Sequence, residues 1–186
     1  MSLLTDLPDD LPVPLDDGAC NHLVGEKLPS IKLNTTEGRS IDFSSLKGFV
    51  VLYVYPMTGQ PDVALPIGWD QIPGARGCTP QACSFRDHYL ELQAYDSTVF
   101  GVSTQSTEYQ AEAANRLHLP FPLVSDVEFQ LIRALSLPTM EVDGMLMGKR
   151  VTLIAYNGII EKVFYPVFPP NENANQVIAY LSKRKA

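Results

Sequence analysis

The segment Phe49-Val-Val-Leu-Tyr-Val-Tyr55 is apolar at every position and rich in β-branched and aromatic residues, the pattern of a strand buried on both faces at the centre of a sheet. Val99-Phe-Gly-Val102 and Phe121–Val124 repeat it in shorter form. Arg150–Tyr156 and Ile159–Tyr165 flank Asn157-Gly158, a turn pair that predicts an antiparallel hairpin. Earlier, Leu28–Leu33 and Ser40–Phe43 alternate weakly around Glu37-Gly38 and read as a short hairpin. Helical spacing runs through Ala82, Phe85, Tyr89 and Leu92, and again through Tyr109, Ala113 and Leu117. Val127–Leu135 reads as a short helix and Ala174–Lys183 as a closing one. The order is βαβ, helix, hairpin, helix, with extra strands in front. It predicts an α/β domain with a central mixed sheet, helices on both faces and an N-terminal β-hairpin extension.

The length of 186 residues suits one domain with a sizeable core. Residues 1–20, with Pro8, Pro12, Pro14 and irregularly spaced acids, predict a loosely held arm, and residues 21–186 the domain. The formal charge of -7 repels phosphate backbones and anionic lipid heads, which argues against nucleic-acid and membrane-surface partners. The only basic run, Lys183-Arg184-Lys185, reads as a solvated helix end. The first residues lack the basic and apolar pattern of a secretory signal, and no apolar run is long enough to span a bilayer, so a cytoplasmic protein is expected. Three cysteines in such a chain favour reactive or buried thiols over a disulfide framework.

Two of them carry the strongest chemical signal. After a Pro- and Gly-rich loop from Pro56 to Gly77, Thr79-Pro80 opens a helix, with Thr79 a candidate cap, Pro80 suited to the first helical position and Cys78 at the helix mouth. A thiol at that position faces unpaired backbone N–H groups and the positive end of the helix dipole, which favour thiolate, the nucleophilic form. Cys83 follows five residues later. In an unbroken helix the two α-carbons are roughly 8 to 9 Å apart, beyond the reach of about 7 Å that a disulfide tolerates. A redox couple here therefore requires residues near 77–84 to unwind. Two other readings of the cysteines stay open: inert space-filling thiols, and a metal site drawing on Cys20, His22, Cys78, Cys83, His88 and His118. No pair of cysteines has the two-residue spacing of structural zinc sites, so neither a metal nor a cofactor is expected.

These segments, taken in order, resemble the peroxiredoxins, and within them the Q-type or bacterioferritin comigratory group. The resemblance runs through His22-Leu-Val-Gly-Glu-Lys-Leu-Pro29, Leu46–Pro56, Gly77-Cys-Thr-Pro-Gln-Ala-Cys-Ser-Phe-Arg-Asp87, Val99–Ser103, Leu119–Asp126 and Arg150-Val-Thr-Leu-Ile154. It implies a thioredoxin fold, a peroxidatic Cys78, a resolving Cys83 and an Arg150 beside the peroxidatic sulfur. It also implies hydroperoxide substrates, a thioredoxin-like reductant, and a monomer or weak homodimer.

In one respect the chain departs from the family. The usual string has a proline, a Thr or Ser four residues later and the cysteine three after that, but Ala75 occupies the hydroxyl position here. Pro56 matches the proline, and the stretch 57–76 makes the interval about fifteen residues longer. Thr58 is the candidate to fold back and supply the missing hydroxyl. Pro56, Gly77, Trp69 and Ile67 are candidates to shape a substrate pocket, the alternative being that the inserted stretch packs as a surface flap. The missing hydroxyl keeps a second function in view, a redox sensor using the same cysteine switch without turnover. The lack of a Cys-x-x-Cys argues against a disulfide reductase. Cys20 has no assigned role.

Overall fold

The computed structural model describes residues 6–185. Two short strands, β1 (Leu33–Thr35) and β2 (Ser40–Ile41), form the leading hairpin. The apolar run becomes β3 (Phe49–Val54). After a long loop come α1 (Cys78–Asp87), α2 (Tyr89–Gln93) and β4 (Ser97–Ser103). They are followed by α3 (Thr107–Arg116), β5 (Leu123–Ser125) and α4 (Gln130–Ala134). A small hairpin, β6 (Thr139–Val142) and β7 (Met145–Gly148), precedes the larger hairpin of β8 (Val151–Tyr156) and β9 (Ile159–Phe164). Helix α5 (Asn173–Lys185) closes the chain.

Seven strands form one mixed sheet in the order β2-β1-β5-β4-β3-β8-β9, with β3 parallel to β4 and antiparallel to β8. Strand β3 shows why its sequence lacks polar alternation. Val50, Leu52 and Val54 enter one core with Leu23, Phe43, Phe100 and α4, while Val51 and Tyr53 enter the other with Phe85, Leu92, Ala113 and Val177 of the helices. Both faces are covered, so each position is apolar. On the helical face Tyr53 stacks on Phe85 with ring centroids 4.6 Å apart. This stack fits because its strand neighbour is Gly101, where a Cβ would collide with the Tyr53 ring and Leu123.

Four features differ from the sequence expectations. Helix α1 starts at Cys78 with Gly77 as its N-cap, so Thr79 lies inside the first turn and does not cap it. The first helix breaks at His88, which takes φ -100 and ψ 10. The β6–β7 hairpin turns through Asp143-Gly144, both at positive φ; this Asp-Gly signal is as clear as Asn157-Gly158, but the flanking strands are short. Residues 6–20, expected to be loosely held, lie against the domain: Arg76 donates to the Asp6 carbonyl, Lys149 pairs with Asp17 at 3.2 Å, and Cys20 is buried. Residues 1–5 of the arm fall outside the described residues. No helix among the described residues is long and apolar enough to cross a membrane.

Gly101→Ala is expected to cost about 3 kcal/mol of unfolding free energy, because a methyl is forced into a filled core. Urea denaturation of the two proteins, compared at equal slope, checks it.

Candidate active site

Strand β3 delivers the chain at Val54 to the carboxyl end of this central strand, and the loop that follows returns at Gly77 to start α1. Gly77 has φ +105, and a Cβ there would run into Pro170 and Leu7, so only glycine seats the helix start in this place. Cys78 is the first residue of α1 and is 4% exposed. Gln81 N–H reaches back to the Gly77 carbonyl and Pro80 has no N–H, which leaves the Cys78 and Thr79 amides at the helix mouth without intrahelical partners.

Arg150 reaches the same point from the neighbouring strand. Val151 is the register partner of Val54, so the residue just before β8 lies beside the end of β3. Its Nη2 donates to Cys78 Sγ at 3.2 Å and to the carbonyls of Ala75 at 3.0 Å and Arg76 at 3.1 Å. One guanidinium thus holds both the sulfur and the loop that carries it, through charge-assisted hydrogen bonds. Its Nη1 donates to Gln81 Oε1.

Gln81 belongs to a buried polar relay. Its Nε2 donates to Asn173 Oδ1 at 2.9 Å, which also accepts from Thr152 Oγ1 at 2.7 Å. Gln81, Asn173 and Thr152 are all fully buried. Sequence reading missed this relay. Gln81 lies three residues after Cys78, on the same side of α1, and that spacing was the available signal; Asn173 and Thr152 are distant in sequence and gave none.

The remaining candidates divide. Gly77 and Trp69 line the cavity at Cys78, together with Met57, Gly59, Leu65 and Thr79. That cavity admits about 10 Å³ of a water-sized sphere, space for about one water. Pro56 lies beside it, lining a larger cleft. Thr58 is buried, and Gln105 holds it: the Thr58 amide and hydroxyl donate to Gln105 Oε1 at 2.9 and 3.2 Å, and Gln105 Nε2 donates to the Thr58 carbonyl. Ile67 is 88% exposed. Trp69 is buried with Ala75, Val142 and Met147, so the long loop and the β6–β7 hairpin share a small third core.

Cys83 is half-buried on the unbroken helix α1, and burial raises its thiol above the ordinary range. It lines a groove with Pro80, His88 and Pro169. Cys20 lies in the core on the opposite face of the sheet from Cys78. Burial, reinforced by the charges of Asp17 and Asp16, pushes its thiol up to about 12.

The redoxin family matches residues 23–178. Chloroplastic peroxiredoxin Q of Sedum lineare is 30% identical over 162 residues, 87% of this chain and 78% of that protein. The chain belongs to the redoxins, as a Q-type peroxiredoxin. Peroxiredoxin Bcp of Bacillus subtilis (strain 168) is 32% identical over 112 residues, 60% of this chain and 62% of its own. Chloroplastic peroxiredoxin Q of Oryza sativa subsp. japonica is 28% identical, and the chain spans 65% of its length. Among solved structures, peroxidoxin BcpB from Mycobacterium tuberculosis superposes with a TM-score of 0.72 at 24% identity, over 88% of this chain and 98% of that one. Xanthomonas campestris peroxiredoxin Q superposes at 0.66 with 21% identity, over 95% and 99%. The fold is therefore the thioredoxin fold of the peroxiredoxins, and as a peroxiredoxin the chain is a thiol-dependent peroxidase.

Replacing Arg150 by Lys keeps the charge but loses the fork that spans sulfur and loop. It is expected to slow peroxide consumption by about 100-fold in a stopped-flow assay. Cys20 is expected to resist iodoacetamide until denaturant is added, as read by peptide mass spectrometry.

Proposed function

We propose that Cys78 is the peroxidatic and Cys83 the resolving cysteine of this peroxiredoxin, with Arg150 as the group that binds and polarises the peroxide. The observation that carries this reading is the Arg150 guanidinium 3.2 Å from Cys78 Sγ at the mouth of α1. The Cys78 thiolate attacks the terminal oxygen of R–O–O–H. The S–O bond forms as the O–O bond breaks, the sulfur is oxidised by two electrons to sulfenic acid, and the leaving oxygen takes up a proton and departs as water or an alcohol. Negative charge grows on that leaving oxygen, and the Arg150 N–H groups and helix-mouth amides face it.

Cys83 then attacks the sulfenic sulfur, expelling water and closing a disulfide. The first turns of α1 unwind for this step, because an intact helix holds the two α-carbons too far apart. A thioredoxin-like dithiol reduces the disulfide by exchange and restores both thiols. The hydroxyl donor missing at Ala75 is made up by Arg150 and the helix-mouth amides, while Thr58 fixes the loop after Pro56 through Gln105.

The test is peroxide consumption with a thioredoxin system for wild type, Cys78→Ser, Cys83→Ser and Thr58→Val. Cys78→Ser should abolish turnover. Cys83→Ser should give one fast oxidation and then stop, with a trappable sulfenic acid. Thr58→Val should lose less than Arg150→Lys. Absence of wild-type turnover with any peroxide would leave the cysteine pair as a switch without catalysis.

Cys83 attacks as its thiolate once α1 has opened and the burial that raises its thiol is relieved, so disulfide closure should accelerate by up to about tenfold per pH unit below the ordinary cysteine range. Rapid-mixing fluorescence, separating closure from the first oxidation, reads this directly.

A further inference from the structure

The long loop before Cys78 and the β6–β7 hairpin do more than bury Trp69. Between them runs a cleft of about 740 Å³, walled by Val63, Leu65 and Ile67 of the loop and Met145, Leu146 and Met147 of the hairpin. Of the ten large apolar side chains that are exposed among the described residues, five line this one cleft: Val63, Ile67, Val127, Met145 and Leu146. Such clustering marks a binding surface rather than the ordinary scatter of surface hydrophobics. No lysine or arginine lines the cleft. Its one carboxylate, Asp143, accepts the Ile67 amide at 3.0 Å and so ties the loop to the hairpin turn.

The inner end of the cleft abuts the reaction site. Met57 and Leu65 line both the cleft and the small cavity at Cys78. That cavity has room for about one water, which leaves no space for a carbon substituent. An organic hydroperoxide that presents its O–O group to Cys78 must place its carbon chain somewhere, and Met57 and Leu65, the apolar side chains that line both spaces, lie on the way to the cleft. Methionines at 57, 145 and 147 supply flexible side chains that conform to such a chain.

We propose that the 57–76 loop and the β6–β7 hairpin form the acyl-chain site of this peroxidase, selecting uncharged alkyl hydroperoxides with long chains. The proposal rests on the assignment of Cys78 as the peroxidatic sulfur. The absence of a cation and the presence of Asp143 disfavour a free carboxylate at the distal end. Each methylene seated in the cleft strengthens binding by up to about fourfold.

The test is kcat/KM for hydrogen peroxide and for n-alkyl hydroperoxides of increasing chain length, with the full chain and its reductant. For the wild type the values should rise with chain length, by at least about tenfold across the series. The double variant Ile67→Ser, Leu146→Ser, both at exposed positions, should flatten that rise, whereas Leu90→Ser, an equally exposed leucine outside the cleft, should not. A binding readout separates this proposal from the peroxidase assignment. Trp69 is the only tryptophan and packs beside Leu65 and Met57, so 1-octanol should shift its emission in the Cys78→Ser variant and the shift should saturate. A flat chain-length series with hydrogen peroxide turnover intact would overturn the acyl site and leave the peroxidase standing. Failure of all peroxides would overturn the peroxidase assignment, and the octanol titration would still decide the cleft: no saturable shift overturns it. Serine variants that change the KM for the reductant instead would make the cleft a reductant dock and overturn the acyl site.

Discussion

A buried thiol at a helix mouth is a useful nucleophile only while a cation is held against it, and here that cation is one guanidinium. Arg150 Nη2 meets Cys78 Sγ at 3.2 Å while also gripping the Ala75 and Arg76 carbonyls. Its position follows from the sheet. The register of β3 against β8 brings residue 150 to the end of β3, where the cysteine loop departs. The Gln81–Asn173–Thr152 relay then fixes the guanidinium from the inner side, joining α1, β8 and the start of α5. Buried polar groups of this kind hold a geometry only when their partners are present, so the relay links three elements to one bond.

The same arrangement opposes the second half of the proposed cycle. Cys78 and Cys83 lie on an unbroken helix, and a disulfide between them would require that helix to open. Gln81 lies between the two cysteines and contacts Arg150, so unwinding its turn would break that contact. In the proposed cycle the folded form serves reaction with peroxide and the unwound form serves resolution by Cys83, whose thiol burial raises while the helix is intact.

The long loop before Cys78 illustrates how a site absorbs an insertion. Residues 57–76 fold onto the β6–β7 hairpin at Trp69, with Ala75, Val142 and Met147 beneath it, while residues 61–64, 67 and 68 stay exposed. Ala75 gives up the hydroxyl usual in the family, but its carbonyl accepts from Arg150. The apolar wall this builds beside the sulfur gives the loop a use that a shorter connection could not supply.

The sequence by itself determined the central strand, the leading and trailing hairpins, a helix mouth beside Cys78 and the candidate roles of Cys78, Cys83 and Arg150. Those features are written in local patterns: apolar runs, Asn-Gly, a Pro near the helix start, and ordered motifs. The tertiary structure alone decided that Thr58 is held by Gln105, that Cys20 and Cys78 lie on opposite faces of the sheet, that residues 6–20 pack on the domain, and that Gln81, Asn173 and Thr152 form one relay. Each of these depends on contacts between residues far apart in the chain, where burial and register, not neighbouring residues, choose the partner. Periodicity reports which face a residue occupies; only the packed fold reports what it meets there.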